Sequence, residues 1–215
     1  MNNTPPHPNG DPFKNRAAAW EEKPQRLELT AALARAIRNR IPLRPDMTAL
    51  EFGAGTGLLT CRLAPALRRI TAVDASPDML AVLREKIAAG PFDNIRIYPG
   101  DISRPLDLPA PFDLIYAAMT LHHLPGLDLL FPRLLQFLRP GGLLALADLD
   151  AEDGSFHPDP TGVYHLGFDR AALADRLEKT GFENIRFDTV HTIRRPDSSG
   201  FDRDYPVFLL TANKP

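Results

Sequence analysis

Cysteine occurs once in the chain, at Cys61. No intramolecular disulfide can therefore form, and such usage fits a reducing compartment. No apolar run reaches the roughly 18 residues that a membrane-spanning helix requires. The opening segment MNNTPPHPNGDPF lacks the basic and apolar regions of a secretory signal. These absences set the expectation of a cytoplasmic protein with no membrane partner. Neither sign of charge dominates: 25 basic residues face 27 acidic ones, for a formal net charge of -2. The chain thus has no general attraction for a phosphate backbone, and basic pairs such as Arg68-Arg69 and Arg194-Arg195 are too small to supply one. A nucleic-acid substrate is not expected. Internal repeats are also missing.

What is present is a regular alternation of patterns. A length of 215 residues suits one domain, with a small arm or lid added. The first 12 residues hold four prolines, one glycine and three asparagines, which is the composition of a disordered N-terminal arm. Helical spacing follows over 25–40, where Leu29, Leu33, Ala36 and Ile37 share a face. Pro24 sits at its start, and Pro42 and Pro45 end it. Strand patterns then fall at 47–52, 69–74, 94–99, 112–118 and 143–149. Helices are expected at 57–67, from Pro77 to Ala89 behind an N-cap at Ser76, at 127–138 up to the RPGG stop, and at 169–180 with Gly181 as C-cap. Strands alternating with helices predict an α/β fold, a doubly wound and mostly parallel sheet covered on both faces. The ending differs. FENIRFDTVHTI and YPVFLLTA have no helix between them and are expected to pair as an antiparallel hairpin at the sheet edge.

The stretch LEFGAGTGLLT (50–60) is the first candidate site, because ligands of such folds bind beyond the carboxyl ends of the strands. Dinucleotide-binding loops carry G-x-G-x-x-G. Here Gly53, Gly55 and Gly57 follow G-x-G-x-G spacing, and Glu51 stands two residues ahead. A carboxylate at that place repels a pyrophosphate and suits a cationic ammonium or sulfonium group, which favours S-adenosyl-L-methionine over NAD. Asp74, at the end of the second strand, can accept hydrogen bonds from ribose hydroxyls. Asp101, in YPGDIS after the third strand, can accept from an adenine amino group.

LEFGAGTGLLT, AVDASPDML, GDIS, FDLIYAAMTLHHL and LRPGG stand in one order and spacing across positions 47–148. In these five motifs the chain resembles the class I S-adenosylmethionine-dependent methyltransferases, of the small-molecule group labelled type 11 or 12. The resemblance implies a Rossmann-like seven-stranded sheet whose last strand is antiparallel. It implies an S-adenosyl-L-methionine-binding domain over 46–215 and a helical lid over 13–45, with Phe13, Lys14 and Trp20 placed to close over the cofactor. It also implies roles by position. Glu51 and the loop of Gly53, Ala54, Gly55, Thr56 and Gly57 meet the methionine portion, and Asp74 meets the ribose. Ala75 and Met79 flank the adenine, Asp101 and Ile102 lie at its edge, and Ala117 closes over the amino-acid end.

For chemistry, TLHHL (120–124) follows the fourth strand, where the transferred methyl group points. His122 or His123 is the candidate general base there. The acidic stretch after the fifth strand (Asp148, Asp150, Glu152, Asp153, His157, Asp159) raises the thought of a metal. Its spacing has no fixed ligand geometry, however, and the expectation is an acidic loop lining an acceptor pocket with no metal. An NPPY-like stretch is missing after the fourth strand, which disfavours amide or exocyclic amino nitrogens as acceptors. The expected reaction is methyl transfer to a small organic acceptor, leaving S-adenosyl-L-homocysteine. A nicotinamide oxidoreductase and a cofactor-binding partner protein without catalysis remain the alternatives.

Overall fold

The computed structural model describes residue 17, residues 20–197 and residues 200–215. The expected arm at 1–12, and Phe13 and Lys14, lie outside the described residues. A 3₁₀ turn at Trp20–Glu22 leads into α1 (Pro24–Arg40). The alternating part follows: β1 (Thr48–Phe52), α2 (Leu58–Leu63), β2 (Arg69–Asp74), α3 (Pro77–Ala89), β3 (Ile95–Pro99), β4 (Phe112–Ala118), α4 (Leu127–Phe137), β5 (Leu138–Leu149) and α5 (Arg170–Thr180). The chain ends with β6 (Glu183–Pro196) and β7 (Asp202–Asn213). The seven strands make one sheet in the order β3-β2-β1-β4-β5-β7-β6. Strands β1 to β5 pair in parallel, and β7 runs antiparallel to both its neighbours. Among the described residues no helix is long and apolar enough to cross a membrane.

The sheet is covered on both faces because its central strands are mostly apolar and buried along most of their length. In β4 all residues from Phe112 to Ala117 are buried. Alternation then sends successive side chains to opposite layers. Ala49, Leu114, Tyr116 and Ala145 pack with Leu33, Ile37, Leu59, Leu63, Leu80 and Leu83 of α1, α2 and α3. Leu50, Phe52, Ile115 and Leu144 pack with Leu130, Phe131 and Leu134 of α4 and with Leu173 and Leu177 of α5. Glu51 shares the parity of Ala49, so its carboxyl lies on the α1–α3 side.

Capping residues act where the sequence puts them. Ser76 Oγ accepts from Met79 N at the start of α3 (3.4 Å), and Asp169 Oδ1 accepts from Ala172 N at the start of α5 (2.8 Å). Gly181, at φ 105°, closes α5 in the left-handed conformation. Two expected boundaries move. The helix expected over 57–67 is α-helical only to Leu63 and continues as a 3₁₀ turn at Ala64–Ala66, because Pro65 has no N–H for the α-helical ladder. RPGG is not a free stop. The chain enters β5 directly after α4, and Leu138 and Leu143 pair Phe112 and Leu114 across a bulge that takes up the extra residues.

The terminal hairpin forms, but its last strand is not at the edge. β7 inserts between β5 and β6, and β6 takes the edge. β5 covers β7 only from Val207 to Asn213, while β6 pairs it out to Pro196–Asp202. The outer half of the hairpin therefore runs past the sheet as a two-stranded ribbon. Because β6 is parallel to β1, this ribbon projects from the same end of the sheet as the glycine loop.

Candidate functional site

At the carboxyl ends of β1, β2 and β4 lies a cavity of about 1220 Å³. The order β2-β1-β4 makes this the point where the chain switches direction across the sheet, the usual ligand crevice of doubly wound folds. Sites for single small ligands span roughly 300–1,000 Å³, so this one has room for two.

The glycine loop forms its floor, and each glycine has its own reason. A Cβ on Gly53 would fall 2.2 Å from Thr120 Oγ1, and one on Gly57 2.3 Å from Leu83 Cδ1. Gly55 faces open space but has φ 56°, a backbone that costs other residues energy. Its N–H donates to Asp74 Oδ2 (2.7 Å), while Asp74 Oδ1 accepts from Ser76 N (2.8 Å). Asp74 thus ties the loop to the end of β2 and lines the cavity beside Ala75 and Met79. Ala54 and Thr56 are also on the wall, and Thr56 Oγ1 is buried without a hydrogen-bond partner. Gly57 is set back from the wall and packs the loop on α3.

Glu51 reaches the cavity from beneath this loop. It is buried, and both Thr60 Oγ1 (2.5 Å) and Tyr116 Oη (2.9 Å) donate to its Oε2. Burial pushes its pKa up to about 8, against the pull of those two hydrogen bonds and with some help from Asp74. The same burial, with Glu51 beside it, raises the Tyr116 hydroxyl well above its ordinary value. The carboxylate expected from the sequence is therefore a largely protonated acid at neutral pH. A cation placed beside it would draw the proton off.

Asp101 and Ile102 line the adjoining wall. Asp101 also caps its own turn, accepting from Ser103 N (2.9 Å) and Ser103 Oγ (2.6 Å). Ala117, like Gly57, does not line the cavity. Its side chain packs in the α4–α5 layer, and Ala118, Met119 and Thr120 take the wall instead. The reason is strand parity. Beyond β4, Met119 sits at φ 53°, a conformation a methionine adopts only where its surroundings hold it. The kink directs the chain into the 3₁₀ turn Leu121–His123.

That turn brings both expected histidines to the cavity, in different states. His122 is buried, and its Nδ1 lies 2.7 Å from Oδ1 of Asp148, a fully buried residue at the end of β5. Burial works to raise the Asp148 pKa. The His122 ring and the N–H groups of Leu149 and His122 outweigh it and hold Asp148 below its usual range. With Asp148 fixing Nδ1, His122 Nε2 is the ring atom left for other work. His123 Nδ1 donates to Gly162 O (2.7 Å), which secures the 150–168 loop. His165 serves the same loop through Leu124 O (2.9 Å).

The wall also holds Arg26, Ile193 and Arg195, to which sequence reasoning assigned no role, beside His157 and Trp20, which it named. His157 stacks near His122 and His123, with ring centroids 4.9 Å and 5.8 Å away. Burial, followed by repulsion from His122, His123 and Arg195, lowers its pKa to about 4, so it is neutral at physiological pH. Its Nε2 is buried with no hydrogen-bond partner. Trp20 and Arg26 form another wall, with the guanidinium 3.5 Å over the indole ring. Ile193 and Arg195 come from the ribbon. The acids that raised the thought of a metal are otherwise engaged: Asp148 with His122, Asp150 with Arg170 (2.7 Å), Glu152 with Gly154 N (2.8 Å) and Asp153 with Arg203. Among the described residues no cluster of three or more histidine, cysteine or acidic side chains is arranged to hold a metal ion.

Comparison with known proteins adds the relatives. Residues 49–142 match the family described as a methyltransferase domain. The trans-aconitate 2-methyltransferase of Deinococcus radiodurans is 38% identical over 118 residues, covering 54% of this chain and 43% of that protein. The chain spans about half the length of the curated relatives it matches. Phosphoethanolamine N-methyltransferase 2 of Haemonchus contortus, solved in complex with S-adenosyl-L-methionine, superposes with a TM-score of 0.70 at 18% identity, covering 85% of this chain and 52% of that one. The [4+2]-cyclase SpnF superposes with a TM-score of 0.69 at 20% identity, covering 91% and 82% of the two chains.

Proposed function

On the premise that this chain belongs to the class I S-adenosylmethionine-dependent methyltransferase fold family, with a methyltransferase domain at residues 49–142, we propose that it transfers a methyl group from S-adenosyl-L-methionine to a small organic acceptor. One observation carries the reading. A single cavity runs from the glycine loop and Asp74 to His122 and His157, joining an end with a strand-terminal carboxylate to an end lined by histidines. The residues present fit the cofactor: Thr56 Oγ1 is an orphaned buried hydroxyl, and the space over Gly55 is open.

When bound, the cofactor supplies an activated methyl group on a sulfonium. Asp74 accepts from its ribose, and Ala75 and Met79 enclose the adenine, with Asp101 and Ile102 at its edge. Glu51 and the Gly53–Thr56 loop hold the methionine portion, and Glu51 gives up its proton to meet the positive charge. Trp20 and α1 act as the lid that excludes water. With Asp74 and the Gly53–Thr56 loop holding the donor, the acceptor's lone pair would take the methyl group as the carbon–sulfur bond breaks. A thioether leaves without needing a proton, so the protein's main task is to hold the acceptor at near-attack distance. Where the acceptor carries an acidic hydrogen, His122 Nε2 takes it, and Asp148 stabilises the imidazolium that results.

Fold alone does not fix the chemistry, since a cyclase shares this architecture. The test is a labelled-methyl transfer screen against a metabolite extract, with Asp74→Ala as control. Label appearing in a small product with wild type and not with the control supports the reading. Binding of a nicotinamide nucleotide in place of both S-adenosyl compounds overturns it.

A further inference from the structure

Of the three arginines in the ribbon, two are neutralised. Arg194 pairs with Asp204 (2.8 Å), and Arg203 pairs with Asp153. The third, Arg195, has no acidic partner among the described residues, although it lines the cavity. Its guanidinium carbon sits 5.0 Å from the ring centroid of Phe156, held there by cation–π attraction. Phe156 in turn meets the His157 ring edge-on at 4.7 Å. Asp159, the acid nearest in sequence on this wall, accepts from Thr161 N (3.0 Å). The loop that carries Phe156 and His157 is braced against the ribbon through Ser155 Oγ and Tyr205 Oη (2.7 Å) and a Phe156–Tyr205 ring contact at 5.1 Å.

An unpaired guanidinium on a cavity wall is a planar fork suited to a planar anion. Beside it, the buried His157 Nε2 has no hydrogen-bond partner among the described residues and can supply one neutral hydrogen bond. We propose that Arg195 and His157 form an anion subsite, and that the methyl acceptor is a small carboxylic acid whose carboxylate is received there. One uncompensated positive charge matches one carboxylate better than a phosphate dianion. Phe156, Val163, Tyr164 and Ile193 on the same wall favour an acceptor with an apolar body. This inference deepens the methyltransferase reading and rests on it for the identity of the reaction.

The probes are benzoate, its neutral isostere benzamide, and phenyl phosphate, titrated by protein NMR into the full chain with and without S-adenosyl-L-homocysteine. Benzoate is expected to bind at least tenfold more tightly than benzamide or phenyl phosphate. Arg195→Gln is expected to abolish the difference between benzoate and benzamide, and Arg195→Lys to keep part of it. Equal binding of benzoate and benzamide, no binding of either, a preference for phenyl phosphate, or an unchanged preference in a folded Arg195→Gln protein overturns the proposal. Thermal melting of the variants checks folding. S-adenosyl-L-homocysteine binding is read separately, so its failure counts against the methyltransferase reading while the comparison of the three probes still reports on the subsite.

Discussion

The two ends of the cavity differ in how the fold makes them. The cofactor end consists of strand ends locked into the sheet: Glu51 in β1, Asp74 closing β2, and a glycine loop pinned by Asp74 itself. The acceptor end is assembled from parts that leave the sheet. These are the 3₁₀ turn after β4, the 150–168 loop and the ribbon of β6 and β7. Bridges such as His123 to Gly162 and Ser155 to Tyr205, with backbone bonds such as Tyr164 N to His122 O (2.8 Å), hold them together. A fixed end suits an invariant ligand, and an assembled end can be rebuilt for different acceptors without disturbing the core. The contrast explains why relatives with diverse acceptors can share one framework.

Substitutions should separate the two ends, and the largest effect is expected at the chemistry. If the acceptor must lose a proton, His122→Asn lowers turnover about 10²–10⁴-fold while leaving S-adenosyl-L-homocysteine affinity near wild type. Single-turnover kinetics beside calorimetry would show the split. Equal losses in both would mean that His122 merely shapes the site. Next comes Asp74→Ala. Removing a charged hydrogen-bond acceptor costs about 1.5–3 kcal/mol, so cofactor affinity should fall roughly ten- to a hundredfold, without sparing any acceptor class.

Legibility in the sequence follows the same division. Strands β1 to β5 and the caps at Ser76 and Gly181 were readable because periodicity and capping act locally. The place of Asp74 on the cavity wall was readable because β2 ends beside the switch point. Ala117 failed for a reason the strand itself contains: positions 116 and 118 face one layer and 117 the other. Tyr116 was hidden because its bond to Glu51 depends on two strands 65 residues apart coming into register. His157 was read only as one member of an acidic loop lining an acceptor pocket, and Arg195 had no local signal. Their places depend on the path of an irregular loop and on a hairpin outgrowing its sheet. Glu51 was read as a charge, and burial turned it into a proton store.

That store makes a prediction of intermediate size. The folded pKa of about 8 lies above the ordinary carboxyl value of 4.5. The group's contribution to stability is therefore fully present below pH 4.5 and is lost as pH rises through 8. For a cationic ligand the sign reverses, and affinity should climb as pH rises toward 8. At pH 7, binding should release up to about one proton per site, measurable by calorimetry in buffers of different ionisation enthalpy. Glu51→Gln should abolish the release. The smallest effect is expected far from both ends. Asp169→Ala removes the cap of α5 and should cost about 0.5–2 kcal/mol of stability, read by denaturant unfolding, with no change in ligand affinity.

The measurement that tests the account most directly is calorimetric titration of S-adenosyl-L-homocysteine into wild type, Asp74→Ala and Arg195→Gln. The account predicts one-to-one binding by wild type, a loss of at least tenfold in Asp74→Ala, and affinity within about twofold of wild type in Arg195→Gln, because the two ends are energetically separate. No binding by wild type, or equal losses in the two variants, would contradict it.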